Sequence, residues 1–375
     1  MPGAAPEDRL RHGRPTANRE GWTHMTMDLS GAPIRNLSPW FQWMTRLADT
    51  TQADPLPGSD PERLGPWIER CRAGLTEMLG PWPDPVPLAV EITETEAADG
   101  YERQRVVFDA EDTMSVPAYL LIPEGRRQPG PAVLAVHGHG PGKSLVCGLE
   151  TTEAPNGDYA HQLAQRGYVV LAPDLRCFGE RADWSPDDHY RCDTNLVHAV
   201  MAGWNPLAQN LFDLGRCLDL LVEHSLVDPR RIGMCGLSYG ATCTLFLAAL
   251  DHRVAAAVVS GFFSSWKEAH KMPLNMCGSQ IMPGMLGRIE HVDLGALICP
   301  RPLLIETGTE DPLFPEAAAR ESVGQLRPLY EARDSADGLV HDIFEGDHQW
   351  HGALAYPFFA RWLGGSPEVV TGTSG

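Results

Sequence analysis

Residues 231–250 carry Gly236-Leu-Ser-Tyr-Gly240 between a short apolar run and a small-residue, helix-forming run, with no break on either side. Such a stretch requires a strand that turns sharply into a helix at Ser238, and that requirement points to a layered α/β architecture. The glycines follow from the turn, because a side chain at Gly236 or Gly240 would collide with the neighbouring strand or helix. The helix after Ser238 aims its N-terminus, with its partial positive charge, at whatever the hydroxyl attacks. A five-residue pattern of this kind also arises by chance in a glycine-rich chain, so its meaning depends on partners elsewhere.

The remaining periodicity supplies the expected scaffold. Helices are expected over 38–48 and 60–79, each opened by a capping residue followed by proline. Period-two alternation begins near Val86 and recurs at 105–109 and 116–122, which predicts an antiparallel start to a sheet with the charged turn 109–112 on the surface. After Pro129-Gly-Pro131 the strands change character. The run at 132–136 is continuously apolar, as in a strand buried on both faces; further strands are expected at 168–172, 231–235, 254–260 and 302–307, and a last one at 340–345. Helical patterns at 159–166, 207–223, 316–330 and 351–363 separate them. This alternation predicts a doubly wound, mostly parallel sheet that binds ligands beyond the C-terminal ends of its strands. Residues 1–27 read as a disordered leader, 28–84 as a helical extension, 85–365 as the main domain with insertions at about 182–206 and 262–294, and 366–375 as a tail.

Polar residues capable of chemistry sit at those strand ends. Strand 132–136 runs into His137-Gly-His-Gly-Pro-Gly142, a turn whose free N–H groups can face a substrate oxygen. The N–H groups of His139 and Tyr239 are the expected oxyanion donors, with Gly140 the alternative to His139. A metal-binding histidine pair or a phosphate loop would use the same turn, but Pro141-Gly-Lys-Ser144 lacks the upstream glycine of a phosphate-binding loop. Strand 302–307 ends in Gly308-Thr-Glu-Asp311, where Asp311 is the expected carboxylate and Glu310 the alternative. Capping the helix at 316 is the plain structural role for Asp311. The last strand ends in Glu345-Gly-Asp-His348, which places His348 in a tight turn as general base, with His351 expected inside the final helix. The chain order serine, aspartate, histidine is that of one of the three known triad arrangements.

A formal charge of −19 argues against nucleic acid or an anionic membrane as partner. Nine cysteines occur without a C-x-x-C pair, so zinc and redox motifs get no support and no metal is expected. No apolar stretch reads as a signal peptide or membrane span, and a reducing cytoplasm is the expected location.

On these residues the chain resembles the dienelactone-hydrolase-like branch of the α/β hydrolases, and more closely abhydrolase family 7 and the acetyl-xylan-esterase-like proteins. The likeness rests on His137–Gly140, Asp174–Arg181, Gly236–Gly240, Cys277–Gly284, Pro300–Glu306, Asp311–Pro315 and Gly346–His348, and spans roughly residues 60 to 365. It implies the α/β-hydrolase fold and a cofactor-free serine hydrolase with Ser238, Asp311 and His348 as its triad. Two departures stand out: serine replaces the cysteine of dienelactone hydrolases proper, and Asp347 replaces the glycine often found before the histidine. Asp174 and Arg176 read as structural, with substrate contact the alternative. Trp184, Phe262, Phe263 and Trp266 of the insertions, with Trp350, are expected to line an apolar pocket; packing beneath the loops is the alternative. The expected reaction is hydrolysis of a small or medium-sized carboxylic ester. A peptidase, acyltransferase, cyclase or carbon–carbon bond hydrolase would use the same triad, and a non-enzymatic binding protein could keep the fold. A homo-oligomer is compatible with the sequence.

Overall fold

The computed structural model describes residues 37–150, 156–183, 191–270, 276–366 and 368–369. The chain divides into two compact units, Met1–Gln42 and Trp43–Gly375. Of the first, only residues 37–42 are described, and they fall at the start of α1 (Pro39–Asp49).

In the second unit, α2 (Pro61–Leu79) starts where Asp60 accepts the Glu62 N–H ahead of Pro61, and it buries Leu64, Trp67, Leu75, Met78 and Leu79 on one face. Three antiparallel strands follow: β1 (Glu91–Ala98), β2 (Tyr101–Glu111) and β3 (Met114–Pro123). Then come β4 (Gly130–Val136), α3 (Lys143–Val146), α4 (Tyr159–Gln165), β5 (Val169–Pro173), α5 (Arg191–Met201) and α6 (Pro206–Glu223). Next in the chain are β6 (Val227–Leu237), α7 (Tyr239–Leu250), β7 (Val254–Ser260), α8 (Trp266–Ala269) and α9 (His291–Ile298). The chain closes with β8 (Leu303–Gly308), α10 (Glu316–Ala332), β9 (Leu339–Phe344) and α11 (Ala355–Leu363).

All nine strands form one sheet in the order β1-β2-β3-β5-β4-β6-β7-β8-β9, parallel from β5 onward. Alternate residues of the central strands feed two separate cores. In β4, Ala132, Leu134 and Val136 join the core that holds α6, α7 and α9, whereas Val133 and Ala135 join the core that holds α4 and α11. Burial on both faces is why β4 reads as an unbroken apolar run.

Several expectations are corrected. The first strand begins at Glu91, not near Val86, and is exposed and acid-rich, as suits an edge that must not pair with another chain. β2 runs through residues expected to form a surface turn: Ala110 is buried, and Glu111 reaches the Arg176 guanidinium at 2.6 Å. The last helix starts at Ala355, so His351 lies outside it. Helices α5 and α9 occupy stretches expected to be loop.

Candidate active site

Ser238 is the N-cap of α7, with φ 58° and ψ −117°, a conformation that L-residues adopt only when the surroundings impose it. Those surroundings are visible at the flanking glycines. A Cβ at Gly240 would run into the Val136 carbonyl and come within 2.8 Å of the His137 carbonyl oxygen; one at Gly236 would collide with Gly240 and lie 2.7 Å from the Val136 oxygen. The elbow is thus wedged against the end of β4, and the half-buried Ser238 is held on its tip. Its own N–H donates to the Ser260 carbonyl oxygen at 2.9 Å, which fastens it to β7 as well.

The β4–α3 turn lies against the same residue, since a Cβ at Gly138 would sit 3.2 Å from the Ser238 Cβ. His137 pins that turn from below. It is wholly buried, its Nδ1 faces the Gly138 carbonyl oxygen at 2.7 Å, and its Nε2 accepts the Leu175 N–H at 3.0 Å. Desolvation lowers its pKa, in keeping with a neutral ring that donates through Nδ1. His139 is exposed, its ring stacked on Tyr239 at 5.3 Å. Tyr239 itself is buried. Its hydroxyl accepts from Asn210 Nδ2 at 2.9 Å and donates to the Ser279 carbonyl at 3.2 Å, while its N–H lies in the first turn of α7, where no intrahelical acceptor exists.

The acid–histidine pair comes from the ends of β8 and β9. Asp311 Oδ2 meets His348 Nδ1 at 2.8 Å, and Asp311 Oδ1 accepts the Leu313 and Phe314 N–H groups at 2.8 and 3.1 Å. The expected pairing and the plain turn-stabilising role therefore coexist, one on each oxygen. Glu310, the alternative acid, is exposed. His348 Nε2, on the far edge of the ring, is buried without a hydrogen-bond partner. Gly261 brings the pair to the elbow. Its φ is 58°, and a Cβ there would lie 3.0 Å from His348 Cε1 and 3.1 Å from Leu237 Cδ1. The imidazole and the residue before Ser238 thus flank a position that only glycine fills without strain. Sequence reasoning missed this residue; an isolated glycine just past a buried strand was its only signal.

Two buried clamps were also missed. Glu306 of β8 is 1% exposed and accepts the Gly352 and His351 N–H groups at 2.8 and 3.3 Å, holding the segment just beyond His348. Burial pushes its carboxyl up to about 7. His351, three residues beyond His348, is engaged by Asp342 at 2.8 Å. On the other flank Lys143, buried against Asp174 and Glu180, ties the β4–α3 turn to the end of β5, and Asp174 Oδ1 accepts the Lys143 N–H at 2.8 Å. Arg176 is bound by Asp213 and Glu111, so Asp174 and Arg176 both have the structural role.

The expected aromatic lining is corrected. Phe262, Phe263, Trp266 and Trp350 are each 1% exposed, so they pack the interior and present no face to a ligand. Trp350 stacks on Tyr159 at 4.4 Å, and Trp266 donates through Nε1 to the Ile289 carbonyl while resting on His291. Burial holds His291 near 3, and its Nδ1 accepts the Ser264 N–H at 2.8 Å. Trp184 lies outside the described residues. Among the described residues, two sets of donor side chains come close enough to share an ion: His139 with Cys192 and Cys277, and Glu306 with Asp342 and His351.

The sequence profile of the abhydrolase family matches residues 57–315, more than half of the chain. The chain belongs to the abhydrolase family. It is 29% identical over 276 residues to "Putative hydrolase YtaP" of Bacillus subtilis, covering 71% of this chain and 89% of that protein. It is 24% identical over 220 residues to "Polyketide transferase claH" of Penicillium crustosum, covering 57% of this chain and 63% of that one. Among solved structures, the putative acetyl xylan esterase of Bacteroides fragilis superposes with a TM-score of 0.70 at 20% identity, covering 83% of each chain. A glucuronoyl esterase from Solibacter usitatus superposes with a TM-score of 0.61 at 16% identity, covering 84% of this chain and 99% of that one. These likenesses establish the α/β-hydrolase fold.

Proposed function

We propose that the protein is a serine esterase that cleaves a small or medium-sized carboxylic ester through an acyl-enzyme. The observation that carries this reading is a strained serine elbow and a bonded Asp311–His348 pair on either side of Gly261, in the chain order of the fold. Ser238 Oγ attacks the ester carbonyl while His348 Nε2 takes its proton; Asp311 keeps the ring's other proton on Nδ1 and stabilises the imidazolium. The N–H groups of Tyr239 and His139 receive the oxyanion, each contributing about 2.7–4 kcal/mol to the transition state. His348 returns the proton to the departing alcohol, then activates the water that releases the acid. Solved structures named as acetyl xylan and glucuronoyl esterases share the fold, which favours an ester over a peptide.

A second reading, acyl transfer, is favoured by one observation, the likeness to a polyketide transferase. The two differ only in what attacks the acyl-enzyme. The test measures acid release from a nitrophenyl ester series with and without a primary alcohol. The esterase reading predicts free acid as the main product throughout and a loss of kcat/KM on the order of 10⁴ or more in Ser238→Ala. Diversion of most acyl groups to the alcohol would replace hydrolysis with transfer, and full activity in Ser238→Ala would overturn both.

A further inference from the structure

Beside the oxyanion turn lies a group of soft donors that the ester chemistry does not use. Cys192 stands in the first turn of α5, Cys277 opens the tight turn at Gly278–Gln280, and His139 projects from the β4–α3 turn. His139 Nε2 and Cys192 Sγ are 3.9 Å apart, and all three donor atoms lie within 4.8 Å of one another. In a tetrahedral zinc site, metal–sulfur bonds of about 2.3 Å and metal–nitrogen bonds of about 2.0–2.1 Å set donor-to-donor edges at roughly 3.5–3.8 Å. The donors therefore need to close by no more than about 1 Å to reach those edges.

The scaffold around them is already built. Ser279 Oγ donates to the Cys192 carbonyl at 3.2 Å, and Gln280 Nε2 donates to Thr242 Oγ1 at 2.8 Å. The Tyr239 hydroxyl holds the Ser279 carbonyl, and the Cys277 sulfur accepts the Gln280 N–H. Phe178 and Tyr239 pack on the His139 ring at 5.4 and 5.3 Å and fix its orientation. Cys192 and Cys277 are buried while His139 is exposed.

We propose that His139, Cys192 and Cys277 form a binding site for a thiophilic divalent ion of the zinc class, and that its occupation inhibits the esterase by capturing the oxyanion turn. The binding half stands on the donor geometry alone; the inhibitory half rests on the esterase reading, through the His139 N–H. Binding replaces two S–H bonds with two metal–thiolate bonds and releases both protons to solvent, so affinity rises with pH.

The test titrates the reduced, full-length protein with Co²⁺, then with Zn²⁺ in competition. One equivalent of Co²⁺ should produce a thiolate-to-cobalt charge-transfer band, abolished by Zn²⁺. Cys192→Ser and Cys277→Ser should each weaken binding on the order of 100-fold, while Cys71→Ser leaves it unchanged. Circular dichroism confirms that each variant is folded. In parallel, ester hydrolysis by the parent should fall with the same midpoint as zinc binding, and hydrolysis by Cys192→Ser should resist zinc. Absence of a stoichiometric thiolate band, an equal band in both cysteine variants, or a Cys192–Cys277 disulfide in the isolated protein would overturn the site. Stoichiometric binding with undiminished hydrolysis would overturn the inhibition. The cobalt band does not depend on activity, so it is read even if the esterase assignment fails.

Discussion

Asp311 is the residue whose two oxygens have different tasks, and substitution separates them. Asp311→Asn keeps Oδ1 as acceptor for the Leu313 and Phe314 N–H groups but can present an amide N–H toward His348 Nδ1. The wrong imidazole tautomer is then favoured. Steady-state kinetics should show a loss of kcat on the order of 10⁴ with little change in KM or unfolding midpoint. A loss smaller than about tenfold would mean that another group orients His348. Tyr239 offers the complementary case, because its proposed catalytic atom is its backbone nitrogen. Tyr239→Phe strands Asn210 and the Ser279 carbonyl, which should cost about 1–3 kcal/mol in urea unfolding while kcat stays within a few-fold of the parent. A collapse of kcat with stability unchanged would assign the hydroxyl to the chemistry.

Among the elements, legibility followed the range of the interactions involved. The central strands were plain because burial on both faces writes an unbroken apolar run into five to seven residues. The sharp turn at Ser238 and the Asp311–His348 contact were legible because each residue belongs to a short motif just past such a strand. Glu306 and Lys143 were not, since their partners lie far along the chain: Gly352 for one, Asp174 for the other. Helix α9 was missed for a different reason. Its eight residues are all buried, so it lacks the polar face that distinguishes a surface helix from a loop or strand. Phe262 and Trp266 were misjudged as lining because sequence reveals that a loop is aromatic but not whether helices such as α9 cover it. Helix α2, by contrast, was legible from its Asp60-Pro61 start. Trp67 at its centre is 1% exposed and donates to the Asp54 carbonyl at 2.9 Å. Trp67→Ala should lower stability by about 3–5 kcal/mol in denaturant unfolding, with activity per folded molecule retained. Full stability in that variant would show that α2 is dispensable to the core.

Across the whole molecule, buried ionisable groups pull stability in opposite directions with pH. Glu290, Asp293 and Glu306 are each raised to about 7 by desolvation, so the folded state holds more protons than the unfolded chain from about pH 4 to 7, and each lowers stability as pH rises through that window. His291 and His341, lowered by desolvation to about 3 and 4, do the reverse below about pH 6.5. The parent's own curve therefore mixes both signs, and a difference between two proteins isolates one group. Glu306→Gln removes a single titration and one of its two backbone acceptors. Its unfolding free energy relative to the parent should rise by on the order of 3 kcal/mol between pH 4.5 and 7.5. A pH-independent difference would mean that Glu306 titrates normally. Because Glu306 holds the segment beyond His348, the same variant tests whether the fold's stability and the base's placement share one residue.

Ser238, activated by His348, is the proposed nucleophile. The most direct measurement is intact-mass analysis after exposure to a fluorophosphonate, applied to the parent and to the Ser238→Ala and His348→Ala proteins. The parent should gain the mass of one adduct, Ser238→Ala none, and His348→Ala should label about 1,000-fold more slowly or worse. Equal labelling of the parent and Ser238→Ala would contradict the account.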